Sequence, residues 1–294
     1  MKRKIKCYKE LFSKLKENGI ILGEPIGDNI YDVISVNGYR VKDHVVCKVF
    51  INVPFGTVQS EYTIAERCYS ADPEHFMKVY GRPVLFSIAD NVFGGVKKCA
   101  ALLMQKGTPF VISSIPQYLS WYISFLREIC LGADTMHRQG IAHLDIKPAN
   151  VVVNHNGRYC LIDFGISRFV GNAVLNVYDL MGSKYYMAPE LFRGILSQAC
   201  DIYGAGMTVR AILLHQSEQI NSSYAEDIFN EKRTMEPLHA DSDYIQEFLN
   251  IINKMTAFSP QDRYRSMKEV LTDLDHFPID PSIRLYSAYF DEAG

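Results

Sequence analysis

The stretch HLDIKPAN, residues 143–150, decides how the rest of the chain is interpreted. It places a carboxylate (Asp145), an ammonium group (Lys147) and a carboxamide (Asn150) within six residues. The stretch follows a long pattern of apolar residues at helical spacing, and it leads into the β-branched run VVV at residues 151–153. Polar groups of three different kinds at a helix–strand junction are typical of a functional loop.

Two further motifs follow in a fixed order. DFG, residues 163–165, ends the strand pattern YCLIDFG and begins thirteen residues after Asn150, and APE occupies residues 188–190. With HLDIKPAN, these motifs resemble the eukaryotic-type protein kinase superfamily, whose signature is H-R-D-L-x-x-x-N, then D-F-G, then A-P-E. One such motif is a weak signal, but three in order with this spacing are specific. The resemblance covers about residues 20–275.

The resemblance implies an α+β fold with two lobes, a small antiparallel β-rich N-lobe with one helix and a larger, mainly helical C-lobe. The patterns agree with it: strand-like segments dominate residues 20–104, one helix pattern interrupts them at 58–70, and helical spacing dominates after 109. A ligand cleft between the lobes is expected. The predicted divisions are a basic helical extension (1–19), the N-lobe (20–104), the hinge (105–109), the C-lobe (110–276) and a tail (277–294).

The catalytic chemistry of the family explains the opening stretch. Phosphoryl transfer from ATP needs positioning and charge neutralisation more than covalent help. Asn150 and Asp163 are the predicted Mg²⁺ ligands, because this hard cation prefers oxygen donors. Asp145 is the predicted catalytic base for the substrate hydroxyl, and Lys147 neutralises the moving phosphoryl group. The alternative is that these side chains only cap a helix end.

In the predicted N-lobe, VVCK places Lys48 where the family has its strand lysine, which pairs with a helix glutamate and reaches the α- and β-phosphates. Two glutamates compete for that pairing. Glu61 is followed by apolar residues at +3, +4 and +7, which turns it toward the lobe, whereas Glu66 is followed by Tyr69 and Ser70. Glu61 is therefore preferred. The alternative for Lys48 is an edge-strand lysine that blocks aggregation.

The loop expected to cover the phosphates departs most from the family. Aligned on its first glycine, G-x-G-x-x-G becomes Gly27 to Asp32, with Tyr31 as the loop-tip aromatic and Ile34 over the adenine. Only one glycine remains, and Asp28 and Asp32 add negative charge near a polyanion. Weak ATP binding, with a dissociation constant above the submicromolar range, is therefore predicted.

The adenine side of the site is predicted from the strand pattern LLMQKG. Met104 is the expected gatekeeper, Gln105 to Gly107 offer backbone groups to adenine, and Val46 on the Lys48 strand is assigned to the nucleotide site. The alternative is an ordinary strand-to-loop junction.

The segment after DFG adds regulation and specificity. GSKYYMAPE resembles the substrate-docking end of the family's activation segment, where Ser183 would bridge Asp145 and Lys147 in the serine/threonine pattern. Glu190 is expected to pair with Arg263 in a buried ion pair. Leu144 replaces an arginine that in many family members grips a phosphate on the activation loop, so this phosphorylation is predicted to be unnecessary.

Composition limits the partners. A net charge of −2 argues against a nucleic-acid-binding protein. Residues 1–17 carry +5, so the remaining chain carries −7. This basic segment has helical apolar spacing, which favours a docked surface helix; contact with a membrane surface or partner, or a nuclear address, are the alternatives. Seven cysteines without CxxC pairs and the lack of a long apolar run indicate an intracellular, cytoplasmic protein without a transmembrane segment.

These observations predict an ATP- and Mg²⁺-dependent kinase that phosphorylates serine or threonine on protein substrates. One alternative is a pseudokinase that acts as a binding or scaffold module, which the single remaining loop glycine favours and the retained Lys48, Asp145, Asn150 and Asp163 oppose. A second alternative is a small-molecule phosphotransferase such as the aminoglycoside kinases, which share the Asp…Asn loop but lack DFG and GSKYYMAPE. Ala149, where arginine-directed kinases often carry Glu, argues weakly against a basic substrate motif.

Overall fold

The chain forms two compact units, Met1–Thr108 and Pro109–Gly294, and each is described by itself. The computed structural model describes residues 2–41, 44–90, 95–110, 116, 118–170, 184–213 and 242–277. Among these residues, no helix combines the length and the apolar character needed to cross a bilayer.

The first unit is built on an antiparallel sheet flanked by two helices. The elements are α1 (Lys2–Glu17), β1 (Ile20–Gly27), β2 (Ile30–Val36), β3 (Tyr39–Arg40), β4 (Val45–Ile51), α2 (Phe55–Ala71), β5 (Val79–Ala89) and β6 (Val96–Gln105). The strands pair in the order β1-β2-β4-β6-β5, and β3 pairs with β2. The β2–β3 connection contains Asn37 and Gly38, both at positive φ, which is the tight hairpin turn that Asn-Gly favours.

The two helices cover opposite faces of this sheet. On one face, Leu11 and Leu15 of α1 lie in a buried cluster with Tyr31 of β2 and Cys47 of β4. On the other face, α2 contributes to a second cluster that contains Phe50 of β4. Because side chains alternate along a strand, Lys48 lies on the α2 face and its neighbour Cys47 on the α1 face.

The second unit is mainly helical, with short strands around the polar loop. Its elements are α3 (Leu119–Arg138), β8 (Ile141–Ala142), β9 (Val151–Val153), β10 (Tyr159–Leu161), β11 (Arg168–Phe169), α4 (Ala199–Leu213), α5 (Asp243–Met255) and α6 (Met267–Asp275). A two-residue strand, β7 (Thr108–Pro109), contains the last residue of the first unit and the first residue of the second. The antiparallel sheet of the first unit and the helices of the second confirm the predicted α+β fold class.

Buried helices hold the polar loop of the second unit. Every residue of α4 from Cys200 to Leu213 is buried, and the first strand after α3 leads directly into the HLDIKPAN stretch. Because a fully buried helix has little freedom to shift in a close-packed interior, α4 is a rigid support for the loop.

Candidate active site

The polar side chains of the HLDIKPAN loop are in direct contact. The Asn150 Nδ2 donates to Asp145 Oδ2 at 2.7 Å and to the Asp145 backbone oxygen at 2.8 Å. Lys147 Nζ lies 3.0 Å from the same Oδ2, and both side chains of this ion pair are about 15% exposed. The loop therefore fixes one oxygen of the Asp145 carboxylate with two donors, and neither Asp145 nor its partners are simple helix caps.

Asp201 of α4 anchors the backbone of the HLDIKPAN loop through its carboxylate. Its two carboxylate oxygens accept the backbone N–H groups of His143 (2.8 Å) and Leu144 (2.7 Å), and His137 Nε2 lies 2.8 Å from Oδ2. Burial alone would raise the pKa of Asp201, but the hydrogen bond and charge of His137 hold this pKa below its usual value. Asp201 thus stays ionised and keeps its acceptors directed at the loop.

The same anchor stabilises an unusual backbone conformation. Leu144 has φ of 69°, a value that a leucine rarely adopts, and its N–H is one of the two backbone donors to Asp201. His143 is fully buried; its Nε2 donates to the Ile162 carbonyl (3.1 Å) and its Nδ1 accepts from Asp145 N–H (3.3 Å). His143 is therefore a structural residue, because both of its ring nitrogens are hydrogen-bonded to backbone groups.

Close packing against α4 fixes the middle of the loop. Thr208 Oγ1 donates its shorter hydrogen bond to the Gly204 carbonyl at 2.8 Å and also lies 3.3 Å from the Ile146 carbonyl oxygen. A Cβ added at Gly204 would lie 3.2 Å from that carbonyl oxygen, closer than most real contacts, so glycine allows the loop to approach the helix. Both contacts hold the segment between Asp145 and Lys147 in place.

Asp163 and Asn150 lie at the same edge of the β9–β10 pair. Leu161 of β10 is paired with Val151 of β9, and Ile162 N–H donates to the Asn150 carbonyl at 3.0 Å. Asp163 is exposed and has φ of 67°, a strained conformation of the kind found at functional sites. The strand pairing therefore brings these two residues to adjacent strand ends.

This oxygen pair fits a magnesium ion. The recorded hydrogen bonds of the Asn150 amide use Nδ2, which leaves Oδ1 as a ligand atom. Among the described residues no cluster of three or more His, Cys, Asp or Glu could hold a metal. Two oxygen ligands from protein suit Mg²⁺, which usually keeps several waters and takes further ligands from substrate phosphates.

In the first unit, Lys48 pairs with Glu61 and not with Glu66. Lys48 Nζ lies 2.6 Å from Glu61 Oε1, and the Glu61 side chain is 3% exposed. Glu66 is exposed and accepts a hydrogen bond from Tyr62 Oη at 2.8 Å. The prediction of Glu61 from the apolar face of its helix is therefore confirmed. The edge-strand alternative for Lys48 is excluded, because β4 lies between β2 and β6.

The residues predicted for the adenine side lie on β4, at the end of β6 and in the two positions that follow β6. Val46 is buried and is paired with Met104 across the two strands. The Gln105 N–H already donates to the Lys78 carbonyl at 2.7 Å. Among the described residues, no backbone hydrogen bond of Gly107 in a turn or loop is recorded. The backbone of Gly107 is therefore a better candidate than that of Gln105 for contact with a nucleobase.

One assignment in the predicted phosphate loop needs correction. Tyr31 is not a loop-tip residue: it lies within β2, is 5% exposed, and meets the ring of Phe12 of α1 edge-on at 5.5 Å. It therefore lies on the sheet face opposite Lys48. Gly27 ends β1 next to the turn, where the tip residues are Asp28 and Asn29.

The pairing of β2 with β4 shows which apolar residue of β2 lies opposite the strand lysine. Ile30, not Ile34, lies opposite Lys48, and Ile34 is four residues farther along the strand with half of its side chain exposed. Ile30 is thus the better-placed apolar residue beside the strand lysine. Gly23 of β1 packs closely against this part of β2, because a Cβ at Gly23 would lie 3.4 Å from side-chain atoms of both Asp32 and Ile34.

Comparison with known proteins agrees with this geometry. The family model described as "Protein kinase domain" matches residues 118–274, more than half of the chain. The chain belongs to the protein kinase family. The serine/threonine-protein kinase PknB of Mycolicibacterium smegmatis is 29% identical over 158 residues, which cover 52% of this chain and 25% of the relative. A protein of Dictyostelium discoideum, named as a probable LIM domain-containing serine/threonine-protein kinase, is 28% identical over 234 residues, 76% of this chain and 34% of the relative.

These alignments span only a quarter to a third of the relatives' own length. The PknB protein of Mycobacterium tuberculosis shows the same pattern, with 28% identity over 164 residues and 25% of the relative covered. The family model begins at Tyr118, so the Lys48–Glu61 pair is established by the structure and not by that match.

The second unit of this kinase also contains the predicted buried ion pair. Arg263 Nη1 and Nη2 donate to Glu190 Oε1 (2.6 Å) and Oε2 (2.9 Å), and the guanidinium carbon lies 4.7 Å from the centre of the Tyr203 ring. Arg263 also donates to three backbone carbonyls, those of Ala257, Phe258 and Ala199. Every polar group of the guanidinium is thus satisfied within the buried interior.

We expect Arg263→Ala to lower the free energy of unfolding by about 3–5 kcal/mol, because it leaves the buried Glu190 carboxylate without its partner. Urea titration followed by circular dichroism measures this change. Arg265→Ala, which removes a nearby exposed arginine, is the matched control and should change stability by less than about 0.5 kcal/mol. A loss below about 1 kcal/mol for Arg263→Ala would mean that the pair contributes little.

Leu144 faces apolar surroundings. It belongs to a buried cluster with Tyr185, Tyr186 and Met187, at the end of the activation segment. The predicted bridge through Ser183 lies outside the described residues. In this kinase an apolar contact thus stands where the family's arginine would offer a cation.

Proposed function

We propose that this protein is an ATP- and Mg²⁺-dependent protein kinase that transfers the γ-phosphoryl group to serine or threonine hydroxyls of proteins. The observation that carries the proposal is the hydrogen-bonded group of Asp145, Lys147 and Asn150 at one edge of the strand pair that presents Asp163. The Lys48–Glu61 ion pair supports it independently. The names of the curated relatives agree with it.

Asp145 is the proposed catalytic base. Its Oδ2 is occupied by Asn150 and Lys147, and no hydrogen bond of Oδ1 to a described residue is recorded. Oδ1 is therefore the atom that accepts the proton of the substrate hydroxyl as the oxygen attacks phosphorus. Lys147, held beside the carboxylate, offsets negative charge on the transferring group.

Asn150 Oδ1 and the Asp163 carboxylate are the proposed Mg²⁺ ligands. When bound, Mg²⁺ neutralises phosphate charge and orients the phosphates for in-line attack. Lys48, fixed by Glu61, is proposed to hold the α- and β-phosphates. Val46, Met104 and the backbone of Gly107 are proposed to contact the adenine.

The test of this function is γ-phosphate transfer from ATP in the presence of Mg²⁺, with the protein itself and generic proteins as acceptors. We expect phosphoserine or phosphothreonine, mapped by mass spectrometry, with no phosphotyrosine. Omission of Mg²⁺ should abolish the transfer. Nucleotide binding without any transfer would contradict the proposal and would favour a pseudokinase that acts as a binding module.

We also propose that activation-loop phosphorylation is not required. The apolar cluster of Leu144 with Tyr185 and Met187 supports this, because leucine cannot form the charged hydrogen bonds, about 1.5–3 kcal/mol each, that an arginine gives to a phosphate. A phosphatase-treated sample, confirmed by mass spectrometry to lack phosphate, should retain activity within about twofold. Loss of most activity after this treatment would refute the proposal.

Partners and location follow from the same proposal. Protein substrates are the expected partners, and nucleic acid is not expected. Leu11 and Leu15 dock α1 on the sheet and leave Lys9 and Lys16 exposed, which supports contact of this helix with an anionic membrane surface or partner. Six cysteines of the described chain are buried thiols, which supports a reducing, intracellular location, in the cytoplasm or nucleus; they are Cys47, Cys68, Cys99, Cys130, Cys160 and Cys200.

A further inference from the structure

An ion pair connects β2 with the residue that follows β6. Lys106 Nζ lies 2.6 Å from Asp32 Oδ1, and each side chain is about one third exposed (35% and 37%). The Lys106 N–H continues the strand ladder by donating to the His44 carbonyl at 2.8 Å. The predicted hinge gives Lys106 a role only through its backbone, and Asp32 is expected only to repel a phosphate.

The strand register places this pair on the sheet face that carries Lys48. Asp32 is paired with Val46, and Val46 is paired with Met104, so these three residues form one row across the sheet. Lys106 is two residues beyond Met104, and Lys48 is two residues beyond Val46. Because alternate residues share a face, all five side chains lie on the same face, with Lys48 and Lys106 on opposite sides of the row.

The charge of Asp32 matters at this position. Asp32 and Lys48 lie on neighbouring strands and are offset by two residues. Standard strand dimensions therefore place their Cα atoms roughly 8 Å apart. This distance is within about one Debye length at physiological salt, so an unpaired carboxylate at Asp32 would repel phosphates bound at Lys48. The Lys106 ammonium cancels that charge locally.

We propose that Lys106 is a positioning residue for the nucleotide: its ion pair with Asp32 cancels a carboxylate charge beside the phosphate-binding lysine and ties β2 to the end of β6 on the nucleobase side. The inference rests on the proposed function, since it takes a nucleoside triphosphate as the ligand of this face. The ion pair also bears on the predicted weak binding of ATP. Lys106 neutralises Asp32, so Asp28 is the carboxylate of the loop that still adds negative charge near the phosphates.

The test compares Lys106→Met, Asp32→Asn and the double variant with the wild type. The measurements are kcat and KM for ATP, and the dissociation constant of MgADP by calorimetry. Lys106→Met exposes the Asp32 charge and should raise KM and the dissociation constant about three- to tenfold, with kcat within about twofold. Asp32→Asn should leave both constants unchanged or lower them, and the double variant should return to within about twofold of wild type. The effect of Lys106→Met should shrink as salt is raised.

Lys97→Met is the matched control. Lys97 also pairs with an aspartate, Asp90, in the same sheet, but it is nine residues from Lys106, about 30 Å along the strand. It should change neither constant. If Lys97→Met matches Lys106→Met, or if both single variants of the proposed pair weaken binding equally, the inference is wrong and the pair is only a structural brace.

The experiment separates this inference from the proposed function. If the wild type binds MgADP but transfers no phosphate, the proposed function fails alone, and the dissociation constants of the variants still decide the role of Lys106. If the wild type binds no nucleotide, both are overturned.

Discussion

Asp145→Asn should lower kcat by about 10²–10⁴-fold while the affinity for MgADP stays within about twofold of wild type. The substitution keeps the shape of the side chain but removes the basic oxygen that is proposed to take the proton of the substrate hydroxyl. In free energy the loss corresponds to roughly 3–5 kcal/mol of transition-state stabilisation. Steady-state kinetics with a defined protein substrate, together with calorimetric titration of MgADP, measures both quantities.

The control for this prediction is Asp134→Asn. Asp134 is also an aspartate of the second unit paired with a cation, since Arg138 Nε lies 3.0 Å from its carboxylate, but it belongs to α3 and not to the loop. It should retain full activity. An Asp145→Asn protein that folds, binds MgADP and keeps more than a tenth of wild-type kcat would show that Asp145 is not the base.

Glu61→Gln should lower kcat/KM for ATP on the order of 10²-fold, whereas Glu66→Gln should stay within about twofold of wild type. Glu61 is buried and fixes Lys48 at 2.6 Å, so the neutral amide leaves a half-buried ammonium without its counter-charge. Removing one partner of a buried pair costs about 3–5 kcal/mol, and 1.36 kcal/mol corresponds to a factor of ten. The exposed Glu66 only accepts a hydrogen bond from Tyr62.

The two glutamate variants form a matched pair, because they make the same change five residues apart on one helix. Melting curves of both proteins show whether α2 remains packed. If Glu66→Gln loses activity and Glu61→Gln does not, the Lys48–Glu61 pair has no role in nucleotide binding.

The contacts that local spacing could predict are those within the polar loop. Asp145, Lys147 and Asn150 are separated by two to five residues, so a single loop conformation is enough to bring them together. The choice of Glu61 also followed from spacing, because the apolar residues after it fix which side of α2 is buried. Such contacts depend on the geometry of one element.

The error at Tyr31 has a physical cause. Tyr31 is expected at the tip of the loop, but β2 already begins at Ile30, so alternation along the strand turns Tyr31 to the face opposite Lys48. The sequence does not show which face α1 covers, because Leu11 and Leu15 could have packed on either side of a sheet whose two faces are both apolar.

The sequence by itself determined the kinase family, the order of the catalytic motifs and the local group of Asp145, Lys147 and Asn150. Only the tertiary structure decided that Asp201 holds the loop from 57 and 58 residues away, that Tyr31 is buried under α1, and that Lys106 pairs with Asp32 across 74 residues. The physical reason is that spacing along the chain fixes contacts within one element, whereas contacts between distant elements depend on strand register and on which helix covers which face of the sheet.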